Sequence, residues 1–539
     1  MEQFWYKDAI IYAVDVDSFQ DSNGDGIGDF HGLTDRMEYL AELGVTCLWI
    51  LPFYPSPDED NGYDIMNYYG VDPRFGTLDD FVTFLHTAGE YGIRVVLDLV
   101  MNHTSDQHPW FQAARRNPRS RYHDYYVWTD SPPPTPTDKG NILGEKSVWT
   151  YDEQAGAYYY HRFLHFEPEL QLANPDVREE ITRVLDFWLA FEIAGLRVDA
   201  APHMIHKKGL DSTEPGDPHG ILKELRRFVS ERREGAMLIG EADVEPSHIA
   251  DYFGDGDELN VLFNFLLSNF LFLALAREQA EPIGRCLKLL PSMPQSGQWA
   301  NFLRNLDELD LERLTDEERQ DVFAAFAPES NMQIFGRGIR RRLAPMLRDE
   351  RQLRMAYSLM FSLPGTPVLV YGDEIKMGDD LDLPGRSAVR TPMQWSDAKN
   401  AGFSTADKRR LNRPIISDGD FSYKLINVEA QRGDPGSFWH WMKHLIAIRR
   451  TARECGWGTF DTIETDRPSV FAHRMKYQRD WLVAVHNLAG KACKVTLEFG
   501  APGERLTHLL GDAVPESPTD GQVRMRLPEY GHGWFRVHG

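Results

Sequence analysis

The sequence predicts an α/β protein: a (β/α)8 TIM barrel with an inserted domain after strand 3 and a C-terminal antiparallel β-sandwich domain. Three observations carry this expectation. Eight short β-rich runs end in polar or acidic residues and alternate with helical stretches, as a parallel barrel requires. A long segment at 104–175 interrupts the alternation with aromatics and prolines. From about 458 the chain changes to short runs of alternating polarity, the pattern of antiparallel strands. The expected division is 1–103 and 176–457 for the barrel, 104–175 for the insert and 458–539 for the sandwich.

The candidate strands fall at 9–19, 46–52, 94–100, 196–200, 236–242, 259–265, 302–308 and 366–372. Runs such as Arg-Val-Val-Leu-Asp-Leu-Val (94–100) are apolar on both faces, as strands covered on both sides must be. Helices are expected between them. One spans 78–91 and stops at Gly92. Another spans 176–191, with Asn174 and Pro175 as its start. The insert is rich in Tyr122, Tyr125, Tyr126 and Trp128 and carries a proline tract at 131–137. So long a connection is usually functional. In the last part, runs at 469–475, 481–487 and 493–499 read as sandwich strands.

Composition narrows the function. The chain has 539 residues, 58 Lys+Arg and 82 Asp+Glu, a net charge of −24. An acidic surface argues against a nucleic-acid partner, whose phosphates need clustered cations. The run Arg337, Arg340, Arg341 and Arg342 is expected to be a solvated helix face. The most apolar stretch, 260–276, is too short to span a bilayer and reads as a buried helix, so no membrane partner is expected. Cys47, Cys286, Cys455 and Cys493 lie far apart, which fits a reducing, cytoplasmic compartment. The N-terminus shows no basic start followed by an apolar core. A homo-oligomer is left open.

Polar residues gather at the strand ends, the catalytic face of such a barrel. Asp98, Asn102 and His103 close the third strand, Arg197 and Asp199 lie in the fourth, Glu241 closes the fifth and Asp307 the seventh. Retaining glycoside cleavage needs a nucleophilic carboxylate and a protonated carboxylic acid about 5–5.5 Å apart, and neighbouring barrel strands can supply them. A separate loop, Asp21-Ser-Asn23-Gly-Asp25-Gly-Ile27-Gly-Asp29, alternates oxygen ligands with glycines. It suits either a hard cation or a metal-free turn stitched by Asx hydrogen bonds. An EF-hand would place Glu where Gly32 stands.

These residues resemble the motifs of the α-amylase superfamily of retaining α-glucosidases and transglucosidases. The matching stretches are Asp-Leu-Val-Met-Asn-His (98–103), Leu-Arg-Val-Asp-Ala (196–200), Gly-Glu-Ala (240–242) and Arg-Asn-Leu-Asp-Glu (304–308). Gly-Tyr-Asp (62–64) and Arg-Thr-Pro-Met-Gln-Trp (390–395) add to them. Within the superfamily the chain most resembles the maltose α-glucosyltransferases, or trehalose synthases, over its whole length. The resemblance implies Asp199 as nucleophile, Glu241 as general acid/base and Asp307 as the third carboxylate, gripping sugar hydroxyls in the transition state. Arg197 would hold the nucleophile ionised. Tyr63, Asp64, His103 and Arg390 would frame the first glucose. It also implies a structural Ca2+ held by Asp21, Asn23, Asp25, Asp29 and the Ile27 carbonyl. The implied substrates are maltose, trehalose or related small α-glucosides, either interconverted or hydrolysed.

Three departures from the family pattern stand out. Leu306 replaces a His that donates to the sugar, implying a changed substrate, a deliberate substitution or reduced activity. Glu167-Pro-Glu-Leu-Gln171 replaces a Gln-Pro-Asp-Leu-Asn-like segment on the acceptor side. Leu196 replaces a Phe, and His203 follows Ala201-Pro202 where trehalose synthases carry an aromatic. His203 either contacts the second sugar or is a structural histidine.

Overall fold

The computed structural model describes residues 3–132, 143–205, 217–305, 307–498, 505–516 and 522–538. Leu306 and most of the proline tract lie outside the described residues.

Eight strands close the barrel. They are β1 (Ile11–Val14), β2 (Cys47–Ile50), β3 (Arg94–Leu99), β7 (Gly195–Val198), β8 (Met237–Gly240), β9 (Val261–Phe263), β10 (Gln298–Asn301) and β14 (Thr366–Val370), all paired in parallel. Their residues are nearly all buried on both faces, with Arg94 half-buried, which explains their unbroken apolar runs. Between β3 and β7 lies a small sheet of β4 (Trp128–Thr129), β5 (Trp149–Asp152) and β6 (Ala157–Tyr160) in the order β4-β6-β5.

Local chemistry sets the connections. The helix Leu78–Glu90 opens on a reciprocal Thr77/Asp80 capping box, and Gly92 beyond it has φ +70°. The helix Pro175–Leu189 starts with the Asn174 side chain accepting from the Asp176 N–H. The apolar run beyond β9 forms the helix Phe265–Arg277, buried on every side from Phe265 to Leu275.

The seventh barrel strand departs from expectation. It is 298–301, not 302–308. Phe302 and Leu303 are buried beyond the end of the ladder, so the apolar run outlasts the hydrogen bonds. The next segment forms a small sheet instead: β11 (Leu309–Asp310), β12 (Gln333–Ile334) and β13 (Gly338–Ile339), in the order β11-β13-β12. Asp307 therefore sits on a connection. The arginine run is also corrected. It is extended backbone around β13, and Arg341 and Arg342 are buried. Arg342 donates to the carbonyls of Tyr371 at 2.7 Å and Val389 at 3.0 Å. Arg337 pairs with Asp310 at 2.8 Å. These cations are spent on internal acceptors rather than solvent.

The C-terminal part consists of two antiparallel sheets. One holds β15 (Thr459–Ile463), β16 (Val470–Tyr477), β17 (Asp480–Asn487), β22 (His532–His538) and β19 (Arg505–Gly511), in that order. The other holds β18 (Cys493–Glu498), β21 (Gln522–Leu527) and β20 (Val514–Pro515), in that order. Val483, Val485, Val495, Leu497, Met525 and Phe535 fill the space between them. The larger sheet packs on the barrel helix Glu350–Ser362. There Ser358 Oγ lies 3.0 Å from His486 Nε2 and accepts from Trp534 Nε1 at 2.9 Å. His473 Nε2 donates to the Ser362 carbonyl at 2.9 Å. His473, His486 and His532 stack across three adjacent strands, with centroids 6.2 and 6.4 Å apart.

Candidate active site

The C-terminal mouth of the barrel holds a cavity of about 550 Å³, within the range that encloses a small ligand. Trp49, Tyr63 and Phe265 give it apolar walls, and Asp199, Glu241 and Asp307 line it together. Three segments that are remote in sequence thus deliver one carboxylate each.

Arg197 organises the first two. From β7 it donates to Asp199, to Glu241 and, at 2.7 Å, to Asp98. A single guanidinium donating to both Asp199 and Glu241 keeps these two carboxyls as neighbours in one site. Asp98 is steadied by Trp49 Nε1 at 3.1 Å and the Tyr63 hydroxyl at 3.3 Å. Burial pushes the Asp199 carboxyl up to about 6, against the pull of Arg197. Burial also raises Glu241; Arg197 pulls it down and the nearby Asp199 adds to the rise. Asp199 is then mostly ionised at neutral pH beside a carboxyl whose hold on its proton is strengthened. Ala200 adopts φ +46°, and its N–H donates to the Glu241 carboxyl. Strain of this kind in a non-glycine residue collects at functional sites.

Asp307 is held differently. Arg390 Nε and Nη2 bind its two oxygens at 2.5 and 2.8 Å. Burial would raise this carboxyl, but the charges and hydrogen bonds of Arg390, with Arg386, bring it down to about 2. Arg390 is itself buried and rests 3.4 Å from Asp15.

The expected glucose frame needs correction at two positions. Asp64 is fully buried and does not line the cavity. It accepts from Ser56 Oγ at 2.7 Å and from the Glu59 N–H at 3.0 Å, so it shapes the loop that presents Asp60 to the cavity. Arg390 likewise grips Asp307 rather than lining the cavity. Tyr63, His103, Arg197 and His203 do line it, and the His203 ring stands edge-on to Phe163 at 5.3 Å. Nothing is described for Leu306, but its neighbours Asn305 and Asp307 both line the cavity.

Residues missed in the sequence are Asp60, Arg162, Phe163 and Arg386, while Glu167, expected on the acceptor side, lines the cavity together with His103. Arg386 forks onto Glu308 at 3.0 and 3.0 Å and lies 3.9 Å from Asp307. Asp60 shares its segment with Tyr63 and was within reach of motif reading. Arg386 comes from a 310 turn after β14 that no strand-end rule would find.

At the Asp21–Asp29 loop, the Asp21 carboxylate accepts N–H bonds from Asn23, Gly24 and Gly26 at 3.0, 2.7 and 2.8 Å. Asp29 accepts from the Ser22 and Gly32 N–H groups at 2.9 and 2.7 Å. Gly26 has φ +102°, and a Cβ there would meet the Arg410 carbonyl oxygen at 2.1 Å. Among the described residues the acids that converge within 4.8 Å are Asp243, Asp310 and Glu312. Within that trio Arg313 pairs with Asp243 and Glu312, and Arg337 with Asp310 and Glu312.

Comparison with known proteins agrees with the geometry. The catalytic-domain model of the α-amylases matches residues 11–458. A trehalose synthase/amylase of Mycolicibacterium smegmatis is 42% identical over 99% of this chain and 92% of its own length. A trehalose synthase of Pimelobacter sp. is 40% identical over 99% of this chain and 96% of its own. An α-amylase structure from H. orenii superposes with a TM-score of 0.79 at 25% identity, covering 98% of this chain and 99% of that one. A trehalulose synthase structure gives 0.76 at 26% identity, covering 99% of this chain and all of the other. With Asp199, Glu241 and Asp307 converging at the mouth of a closed eight-stranded barrel, the chain belongs to the α-amylase family.

Proposed function

We propose that this chain is a retaining α-glucosyl mutase that interconverts maltose and trehalose. The observation that carries it is the single guanidinium of Arg197 joining Asp199 and Glu241 inside one cavity that Asp307 also lines. Near-full-length identity to trehalose synthases supports the choice of substrate.

The steps follow from the residues. Asp199 Oδ attacks the anomeric carbon while the bond from that carbon to the bridging oxygen breaks. Glu241 gives its proton to the departing oxygen. The product is a covalent glucosyl-aspartate and a free glucose held in the cavity. Glu241, now ionised, takes the proton from the anomeric hydroxyl of that glucose, whose oxygen displaces Asp199. Glu241 is protonated again and Asp199 is ionised. Asp307, fixed in its charged form by Arg390, binds hydroxyls whose geometry changes as the ring flattens, so its grip is tightest in the transition state. The insert supplies Arg162, Phe163 and Glu167 to the cavity wall, which helps exclude competing water.

Proton NMR of a maltose reaction tests the reading. Trehalose should accumulate ahead of, or together with, a smaller amount of glucose. Glucose alone at all times would replace it with α-glucoside hydrolysis by the same residues.

A structural Ca2+ at the Asp21–Asp29 loop is part of this proposal. Asp21, Asn23, Asp25, Asp29 and the Ile27 carbonyl lie on one turn whose glycines Gly24 and Gly26 take positive φ, and the turn fits a hard cation in donor chemistry. Its role would be to brace the loop. A melting temperature raised by Ca2+ and lowered by chelator would support it; no response would leave the loop held by its Asx bonds and its contacts with Phe403, Ser404 and Asn412 alone.

A further inference from the structure

One buried carboxyl in the cavity wall has no part in the steps above. Glu167 is completely buried yet lines the cavity with His103. Its Oε2 accepts from the Leu164 N–H at 3.2 Å. Its Oε1 lies 3.5 Å from His103 Nε2 and makes no hydrogen bond among the described residues. The segment is fixed there by backbone bonds to the end of β3: Thr104 N–H to the Pro168 carbonyl at 3.2 Å, and Leu170 N–H to the Asn102 carbonyl at 2.9 Å.

The surroundings are anionic. Asp60 and Asp64 face Glu167 from the loop after β2, and Asp199 from the end of β7. Glu241 lines the same cavity. The cationic or titratable groups nearby are His103 at the end of β3, Arg162 on the insert and Arg197, which is already committed to Asp98, Asp199 and Glu241. Among the described residues no Arg or Lys forms an ion pair with Glu167. Ionising a fully buried carboxyl in such a place is costly. A neutral carboxylic acid has the same shape as a Gln amide and, like it, offers a donor and an acceptor.

We propose that Glu167 works as a neutral carboxylic acid, presenting its O–H beside His103 to a hydroxyl of the bound glucose. It is then a specificity-determining residue of the glucose pocket. Its ionisation at alkaline pH removes the donor and adds a charge next to Asp199, weakening sugar binding. Burial and the carboxylates of Asp60, Asp64 and Asp199 hold its proton well above the usual carboxyl range. The choice of ligand rests on the glucosyl-transfer reading; the protonation state does not.

Two measurements test this. Infrared difference spectra of wild type against Glu167→Gln at neutral pH should contain the C=O band of a protonated carboxyl, with no turnover needed. Absence of that band overturns the proposal even if the enzyme converts maltose. KM for maltose should rise at alkaline pH in wild type and stay flat in Glu167→Gln, while Glu167→Ala should lose about 10–100-fold in kcat/KM, the scale of a lost buried hydrogen bond. The Gln variant should recover most of that loss. Superimposable KM profiles for wild type and Glu167→Gln overturn the substrate contact. A protein that shows the band but turns over no α-glucoside refutes the glucosyl-transfer reading and the ligand assigned to Glu167, while its neutral state stands.

Discussion

Arg390 holds both oxygens of Asp307 through a two-pronged contact at 2.5 and 2.8 Å, and this grip keeps the carboxyl ionised far below neutral pH. Lysine would keep the charge but not the fork. Arg390→Lys should therefore cost about 10²-fold in kcat/KM, mostly in kcat, because Asp307 acts on the distorted ring. Steady-state kinetics on maltose checks this. A loss confined to KM would mean that Asp307 binds ground state and transition state alike.

Asp199→Asn should reduce turnover by about 10³-fold or more, without changing the melting temperature by more than a few degrees. Burial pushes the Asp199 carboxyl up to about 6. Its charged form attacks, so kcat/KM should fall as pH drops below 6, while the alkaline limb belongs to the acids Glu241 and Glu167. A pH–rate profile with an acid limb near 4 would contradict the assignment.

Leu306→His tests the departure beside the third carboxylate. Positions 305 and 307 both line the cavity. A restored donor should raise kcat/KM on maltose by about 10²-fold. If activity falls instead, Leu306 belongs to a different specificity, and a panel of disaccharides should reveal it.

The histidine stack predicts acid lability. Burial lowers His473 to about 4, whereas the unfolded residue titrates near 6.5. The native state therefore binds fewer protons. The stability contributed is complete above pH 6.5 and is lost as pH falls toward 4, about 3 kcal/mol for this residue. His473→Gln keeps a donor for the Ser362 carbonyl and cannot titrate. Its urea midpoint should be flatter than wild type between pH 6.5 and 4.5. An unchanged slope would place the lability elsewhere.

Much of this molecule could be read from its residues. Barrel strands such as 94–99 announce themselves because they are apolar on both faces, and the carboxylates at strand ends follow from the parallel topology. Motif likeness located Asp199, Glu241 and Asp307 without the fold. What escaped depended on contacts between distant segments. The arginines at 337–342 looked solvated because their acceptors, such as the Tyr371 and Val389 carbonyls, are invisible in a local window. The Gly-Tyr-Asp motif implies a sugar contact for Asp64, whereas its hydrogen bonds to Ser56 and Glu59 turn it inward and leave Asp60 in the cavity. The seventh strand was placed too late because Phe302 and Leu303 stay buried after the ladder ends.

The docking of the C-terminal sheet on the helix Glu350–Ser362 has a practical consequence. Residue 458 marks a change of architecture but not a place to cut. That helix leads through Ser362 directly into β14, the strand that closes the barrel against β1. A fragment ending near 457 would bare the Ser358 face, strip its polar groups of Trp534, His473 and His486, and loosen the last stave of the barrel. The catalytic part is thus a dependent partner, and any shortened version would need a replacement surface laid over that helix before its chemistry could be assayed.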